Sequence, residues 1–303
     1  MLVFWIVFNL VVMAMLALDL GVLNRRSHRV GFRQALVWSG AWITLAAAFA
    51  VLVLFWHGRD PALQFVTGYV IELTLSVDNL FVFLLTFRYF KVPDEHQHKV
   101  LVWGILGALV MRGGFIVAGV GLIHRFRWIS YGFGTLLVYS GIKLLRHGEA
   151  EIHPEKNFVL RIFRRAFPVT NEYVGGQFFT RREGLYATPL LVALLVVETS
   201  DILLAVDSIP AVLAITLNAF VVYTSNVFAI LGLRSMYFAL AGMIDLFHYL
   251  HYGLSVVLIF MGLKMLGSHY VYIPTGWALT IVLFVLGASI LASLLNPQKK
   301  TPV

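Results

Sequence analysis

Glu72 and Asp78 lie in one long apolar run, and Glu198, Asp201 and Asp207 lie in another. An ionised carboxylate at the centre of a bilayer costs at least about 2.5–3.5 kcal/mol on insertion scales. Five such groups facing lipid would be hard to tolerate, so they must face a polar interior and share a proton or a cation. The competing account is structural pairing with two arginines inside apolar runs, Arg112 and Arg234. Two arginines, however, cannot neutralise five acids. Asn79 and Ser208 add neutral oxygens beside Asp78 and Asp207. Asn226, in a further apolar run, has the side chain to bond across helices.

These donors are oxygen-rich and free of thiols, because the sequence contains no cysteine. Disulfides and thiolate metal sites are therefore excluded. No histidine lies within either acidic segment. Such a set suits Mn²⁺, Mg²⁺ or Ca²⁺ and disfavours Zn²⁺ or Cu⁺; this chemistry alone does not separate Mn²⁺ from Mg²⁺. Nothing calls for a permanently bound cofactor. The chain has no nucleophile–base set, HExxH or phosphate loop, so it does not read as an enzyme.

Helical geometry constrains how the acids meet. Glu198 and Asp201 are three residues apart and share a face. Asp201 and Asp207 are six apart, which turns them by about 120° on an ideal helix, and Glu72 and Asp78 have the same spacing. Convergence on one ion then requires a local break or approach from two directions. Pro210 supplies a reason for a break, since it has no N–H for the carbonyl of Val206.

The elements that position these residues are transmembrane helices. Of 303 residues, 60 % are hydrophobic and 13 % charged, against about 25 % charged in soluble proteins; mean hydropathy is +0.85. The apolar residues fall in runs of roughly 20, enough to cross a bilayer core. The expectation is an all-α, polytopic membrane protein with nine spans: Leu2–Leu23, Ala35–His57, Leu63–Tyr89, Val100–Ile123, Trp128–Leu145, Leu185–Leu217, Phe220–Met243, Tyr249–Leu266 and Ile273–Leu295. The sixth run is long and contains Pro189 and Pro210, which predicts a kinked or interrupted helix. The first run lacks a basic segment before it and reads as a retained span. Most of the 23 Lys and Arg residues, from Arg25 to Lys300, fall on one side if the N-terminus is outside and the C-terminus inside. The net charge of +8 thus reflects topology, with no nucleic-acid partner implied.

The polar stretch Arg146–Gly184 reads as a cytoplasmic linker with an amphipathic helix around Phe158–Phe167; metal sensing by its His and Glu residues is the weaker alternative. Asp19, Asp245 and His248 read as interfacial, the tryptophans as an aromatic belt, and Gly104, Gly107, Gly113 and Gly114 as points of close helix packing.

The two halves match each other. Ile71–Asn79 aligns without gaps to Ser200–Ser208, pairing Glu72 with Asp201 and Asp78 with Asp207. Ile105-Leu106-Gly107 matches Ile230-Leu231-Gly232, each followed by an in-span arginine. Tyr131-Gly132 matches Tyr252-Gly253, and Gly141–Leu145 matches Gly262–Leu266 at the same offset. Three matches in one order point to duplication of a three-span unit. An odd number of spans inverts the second copy, as in secondary transporters whose substrate site lies mid-membrane. The division is residues 1–60 (two spans), 61–147 (first unit), 148–184 (loop), 185–268 (second unit) and 269–303 (last span and tail).

Glu72–Phe83 (ELTLSVDNLFVF), Glu198–Ile215 (ETSDILLAVDSIPAVLAI) and Ser225–Tyr237 (SNVFAILGLRSMY) resemble the signature segments of the TerC family, and most closely its Alx branch. The resemblance covers nearly the whole chain. It implies a bacterial inner (plasma) membrane protein of the LysE-like transporter architecture that exports Mn²⁺, and it carries a historical label of tellurium resistance. The family's motif acids fall on Glu72, Asp78, Glu198, Asp201 and Asp207, with Asn79 and Ser208 beside them. A carboxylate cluster should repel an oxyanion, so tellurite chemistry does not follow from these residues.

The leading expectation is a divalent-cation exporter working by alternating access, with proton antiport chemically reasonable. In it Asp78 and Asp207 are central ligands, Glu72, Asp201 and Glu198 complete the shell, and Arg112, Arg234 and Asn226 balance charge or gate. The alternative is a membrane partner that hands metal to secreted enzymes without net transport. The implied partners are the divalent ion and the bilayer, with a second copy of the chain or the secretion machinery as protein contacts.

Overall fold

The structure is a computed structural model that describes residues 2–21, 32–126, 128–147, 158–170, 172–181, 184–240 and 249–295. The helices are α1 (Leu2–Gly21), α2 (Phe32–His57), α3 (Arg59–Tyr89), α4 (Asp94–Arg125), α5 (Ile129–His147), α6 (Phe158–Ala166), α7 (Pro189–Leu213), α8 (Ala219–Leu240), α9 (Leu250–Leu266) and α10 (Thr275–Leu295). Among the described residues, six of them (α2, α3, α4, α7, α9 and α10) are long and apolar enough to cross a membrane. α1 and α8 carry shorter apolar stretches, Trp5–Leu16 and Ala219–Leu233. α5 is diluted by Ser130, Thr135, Ser140 and Lys143.

Helix ends follow local chemistry. α3 stops where Lys91 adopts a φ of 51°, and the Val92 N–H donates back to the Phe87 carbonyl at 2.9 Å, closing the last turn in the left-handed manner common at helix C-termini. α4 begins after Pro93 with Asp94 and Glu95 in its first turn and ends with His124 and Arg125 in its last, which complements the helix dipole at both ends.

The sixth apolar run departs from expectation. Its first residues, Leu185–Ala187, form a strand, β2, that pairs antiparallel with β1 (Phe179–Arg181). The helix itself starts at Pro189, where a missing N–H costs nothing. It then continues unbroken through Pro210 to Leu213. Proline at that point removes one hydrogen bond near the end of the helix. The chain re-forms its turn at once, with the Ala214 N–H on the Pro210 carbonyl at 2.9 Å.

The polar stretch contains the expected amphipathic helix, α6, but several of its described residues are packed against the helices, unlike a solvated linker. Leu160 is buried with Val192 and Val196 of α7. The Tyr173 hydroxyl donates to the Phe90 carbonyl at 2.6 Å, and Lys99 Nζ donates to the Gly176 carbonyl at 2.8 Å. The segment is thus tied to the α3–α4 turn. The side chain of His147, and all of His153, Asp245 and His248, lie outside the described residues, as does the side chain of Asp19. Trp56, Trp103, Trp128 and Trp277 are exposed, as a belt requires, but Trp42 is buried in the core. Trp5 packs on Phe220 and Tyr223, with ring centroids 5.6 and 5.1 Å away.

Four helices surround the centre: α3 packs on α7 and α8, and α4 packs on the same two. The most extensive pairing is between α5 and α9, and glycines make it close. A Cβ on Gly141 would lie 2.8 Å from the Ser255 carbonyl oxygen and 3.1 Å from the Ile259 nitrogen. A Cβ on Gly262 would lie 2.7 Å from the Gly134 carbonyl oxygen and 2.9 Å from the Val138 nitrogen. The two helices run antiparallel, since the later residue of α5 meets the earlier part of α9.

Candidate functional site

The centre is built around Arg112, which is 2 % exposed. Its guanidinium reaches three other helices. One terminal nitrogen, Nη1, pairs with the Glu72 carboxylate of α3 and donates to Ser208 Oγ of α7 at 3.3 Å and to Asn226 Oδ1 of α8 at 3.2 Å. The other, Nη2, donates to Asp201 Oδ1 of α7 at 3.2 Å. Asn79 Nδ2 of α3 donates to the same Asp201 oxygen at 3.0 Å, and Asn226 is held in turn by donating to the Val222 carbonyl at 3.1 Å.

A spacing of seven brings these groups together. Seven residues are nearly two full helical turns, so Glu72 and Asn79 share one face of α3, and Asp201 and Ser208 share one face of α7. The level is mid-helix. Asp201 stands at the midpoint of α7 (Pro189–Leu213), about 18 Å from either end at 1.5 Å per residue. Among the described residues, Glu72 Oε2, Asp201 Oδ2, Ser76 Oγ and Arg112 Nε are buried atoms with no hydrogen-bond partner. An unpartnered buried polar atom is costly, so this centre keeps donor capacity that the protein itself does not use.

The remaining acids go elsewhere. Asp207 is turned away from Arg112, as the six-residue spacing requires, and accepts from Ser140 Oγ of α5 at 2.7 Å. The Glu198 carboxylate lies over Gly107 of α4, in the space a side chain there would fill. The side chains of Asp78 and Arg234 are outside the described residues. Among the described residues, no three acidic or histidine side chains gather closely enough to hold a metal ion unaided. Apart from Asp78, the expected set therefore resolves into a centre of Glu72, Asn79, Asp201 and Ser208 around Arg112 and Asn226, flanked by Glu198 and Asp207.

Three participants escaped sequence reasoning: Ser140, Ser76 and Gly107 as the seat of Glu198. Ser76 had a signal, being four residues after Glu72 on the same face. Ser140 had none, because its partner is 67 residues away. Ser140→Ala should cost about 1–3 kcal/mol, since it strips the Asp207 carboxylate of its donor. A lowered thermal midpoint of the detergent-solubilised protein is the expected readout; an unchanged midpoint would make that bond dispensable.

Long apolar helices enclosing buried, mutually paired charges define an integral membrane protein with a polar interior. The sequence matches the Integral membrane protein TerC family over residues 57–301, and the chain belongs to that family. It is 50 % identical over 295 residues to a Myxococcus xanthus protein named "Uncharacterized membrane protein STKORF319", covering 97 % of this chain and 92 % of that one. It is 46 % identical over 292 residues to the Escherichia coli (strain K12) protein named "Putative membrane-bound redox modulator Alx", covering 93 % and 91 %. A Rickettsia bellii membrane protein is 37 % identical over 293 residues, covering 96 % and 97 %. No solved structure matches the chain.

Proposed function

We propose that this protein carries a divalent metal cation, Mn²⁺ foremost, out of the cytoplasm across the bacterial inner membrane. The observation that carries the reading is that buried Glu72 and Asp201, from two different helices, meet on Arg112 at mid-helix level among neutral oxygens, with carboxylate oxygens that have no hydrogen-bond partner among the described residues. Hard divalent cations take such all-oxygen sets. Glu198 lies three residues before Asp201 on α7 and Asp207 six after. They would act as stations on either side of the centre, about 4.5 and 9 Å along the helix axis. Exchange of the ion for protons on these carboxylates would couple export to proton entry.

The architecture that goes with this function is nine crossings, N-terminus outside, with α3–α5 and α7–α9 as inverted units that rock against each other. Helix pairing supports it: α3 packs on α8 while α4 packs on α7, and α5 packs on α9. Each of those pairings maps onto itself, or onto the other, when the two units are exchanged. The glycine contacts do the same, since the 121-residue offset between Gly141 and Gly262 also takes Gly134 to Ser255. The redox role in the name of the Escherichia coli relative cannot run through thiols in this chain, which has no cysteine.

The test is flux. Purified protein in liposomes should move Mn²⁺ down an imposed gradient, with Mg²⁺, Ca²⁺ and H⁺ measured in parallel. Binding of Mn²⁺ without flux would replace transport by metal delivery to other proteins, and absence of both would remove the metal reading.

A further inference from the structure

We propose that Arg112 is a tethered counter-cation: its guanidinium takes the metal's place between Glu72 and Asp201 whenever the carrier is empty, and so permits the empty carrier to reorient. The inference rests on the transport reading above. Its starting point is the identity of the groups Arg112 touches. Its terminal nitrogens contact the Glu72 carboxylate, Asp201 Oδ1, Ser208 Oγ and Asn226 Oδ1. Every one is an oxygen that a hard cation would also take. Guanidinium and metal therefore compete for one set of donors, by space and by charge.

The anchoring of Arg112 fits a group that must let go. Its Nε is buried and makes no hydrogen bond. Among the described residues, the hydrogen bonds and ion pairs of the guanidinium all run through its two terminal nitrogens, to groups the metal would use. A metal that captures those oxygens removes these contacts together. A purely structural arginine would gain from at least one polar contact outside the competed set. The side chain is planar and always charged, so at any physiological pH it offsets one of the two carboxylate charges without a proton and leaves the other for a proton to offset.

The consequence is specific to one half of the transport cycle. With metal bound, the carboxylates are neutralised by the ion and the loaded carrier can cross. Without metal and without Arg112, one more uncompensated carboxylate charge must pass through the closed state. Charge penalties of the size seen in membrane insertion slow such a step by roughly 100-fold. Net efflux needs the empty return; exchange of Mn²⁺ for Mn²⁺ does not.

The experiment measures both modes in proteoliposomes with radiolabelled Mn²⁺: net efflux into Mn²⁺-free medium, and exchange against external Mn²⁺. Arg112→Gln should lower net efflux by roughly 100-fold more than it lowers exchange. Mn²⁺ binding to the same variant in detergent should tighten by about tenfold, because the competitor is gone. Equal loss of both modes in an Arg112→Gln protein that elutes like wild type would overturn the proposal in favour of a structural cross-link. Unchanged net efflux would overturn it as well. Arg112→Lys keeps the charge and covers the case in which the glutamine variant does not fold. A lysine reaches fewer of the four oxygens, so Mn²⁺ should bind more tightly to it and the ratio of net efflux to exchange should fall less. Unchanged Mn²⁺ binding in that variant would sink the competition. Failure of the underlying transport reading looks different: wild type itself would then show neither mode.

Discussion

Asp201→Asn should reduce Mn²⁺ flux in proteoliposomes by roughly 100-fold, the largest loss of any single carboxylate among the described side chains. Asp201 is the acid that both α3 and α4 reach, through Asn79 at 3.0 Å and Arg112 at 3.2 Å. Charge-assisted contacts are each worth about 1.5–3 kcal/mol, and loss of the charge weakens all of them together. Asparagine fills the same volume and removes a buried charge, so insertion and folding should survive. Glu72→Gln should follow closely, for it is the second carboxylate on Arg112. Asp207→Asn should lose less, because Asp207 faces Ser140 of α5 and not the arginine. Wild-type flux through Asp201→Asn, with Asp207→Asn inactive, would move the centre of the path to the α5 side.

Gly262→Val should be the most destabilising small change in the membrane interior. The atoms that a Cβ there would meet include the Gly134 carbonyl oxygen at 2.7 Å and the Val138 nitrogen at 2.9 Å. Backbone cannot rotate aside as a side chain can, so the helices must separate. Overpacking typically costs 1–3 kcal/mol, and about 3 kcal/mol is expected where two backbones are in contact. Gly114→Ala is the matched control. Nothing lies within 4 Å of its added Cβ, and alanine is the better helix former by about 1 kcal/mol. Thermal midpoints in detergent should therefore move in opposite directions for the two variants. A Gly262→Val protein as stable as the control would mean that the α5–α9 contact is not close in the membrane.

Much of this was legible because the bilayer simplifies the code. Runs of apolar residues set the helices, and most described ends fell close to the expected ones; the larger misses include the starts of α4 at Asp94 after Pro93, where Val100 was expected, and of α7 at Pro189, where Leu185 was expected. The hairpin of β1 and β2 was not legible: each strand is three residues long, too short for an alternating pattern. At the site, the acids announced themselves by their cost in an apolar setting. Their grouping did not. For the pairs six apart to converge, a local break or approach from two directions was required. Instead α7 runs unbroken through Pro210 and the working spacing is seven, Glu72 with Asn79 and Asp201 with Ser208, while Asp207 turns to another helix. Which helix receives Asp207 is a matter of tertiary packing, and no local pattern around Ser140 records it.

The seam between α5 and α9 reads the same from either side. Gly134 meets Gly262 as Ser255 meets Gly141, and Val138 faces Gly262 as Ile259 faces Gly141. Contacts with that reciprocity are what two copies of one chain make across a two-fold axis. If the two units descend from one, a three-helix ancestor with this face would have buried it by dimerising with itself, antiparallel. Two such copies joined in one chain would need small residues along the seam in both halves. Among the described side chains, one arginine of the first half, Arg112, serves carboxylates from both.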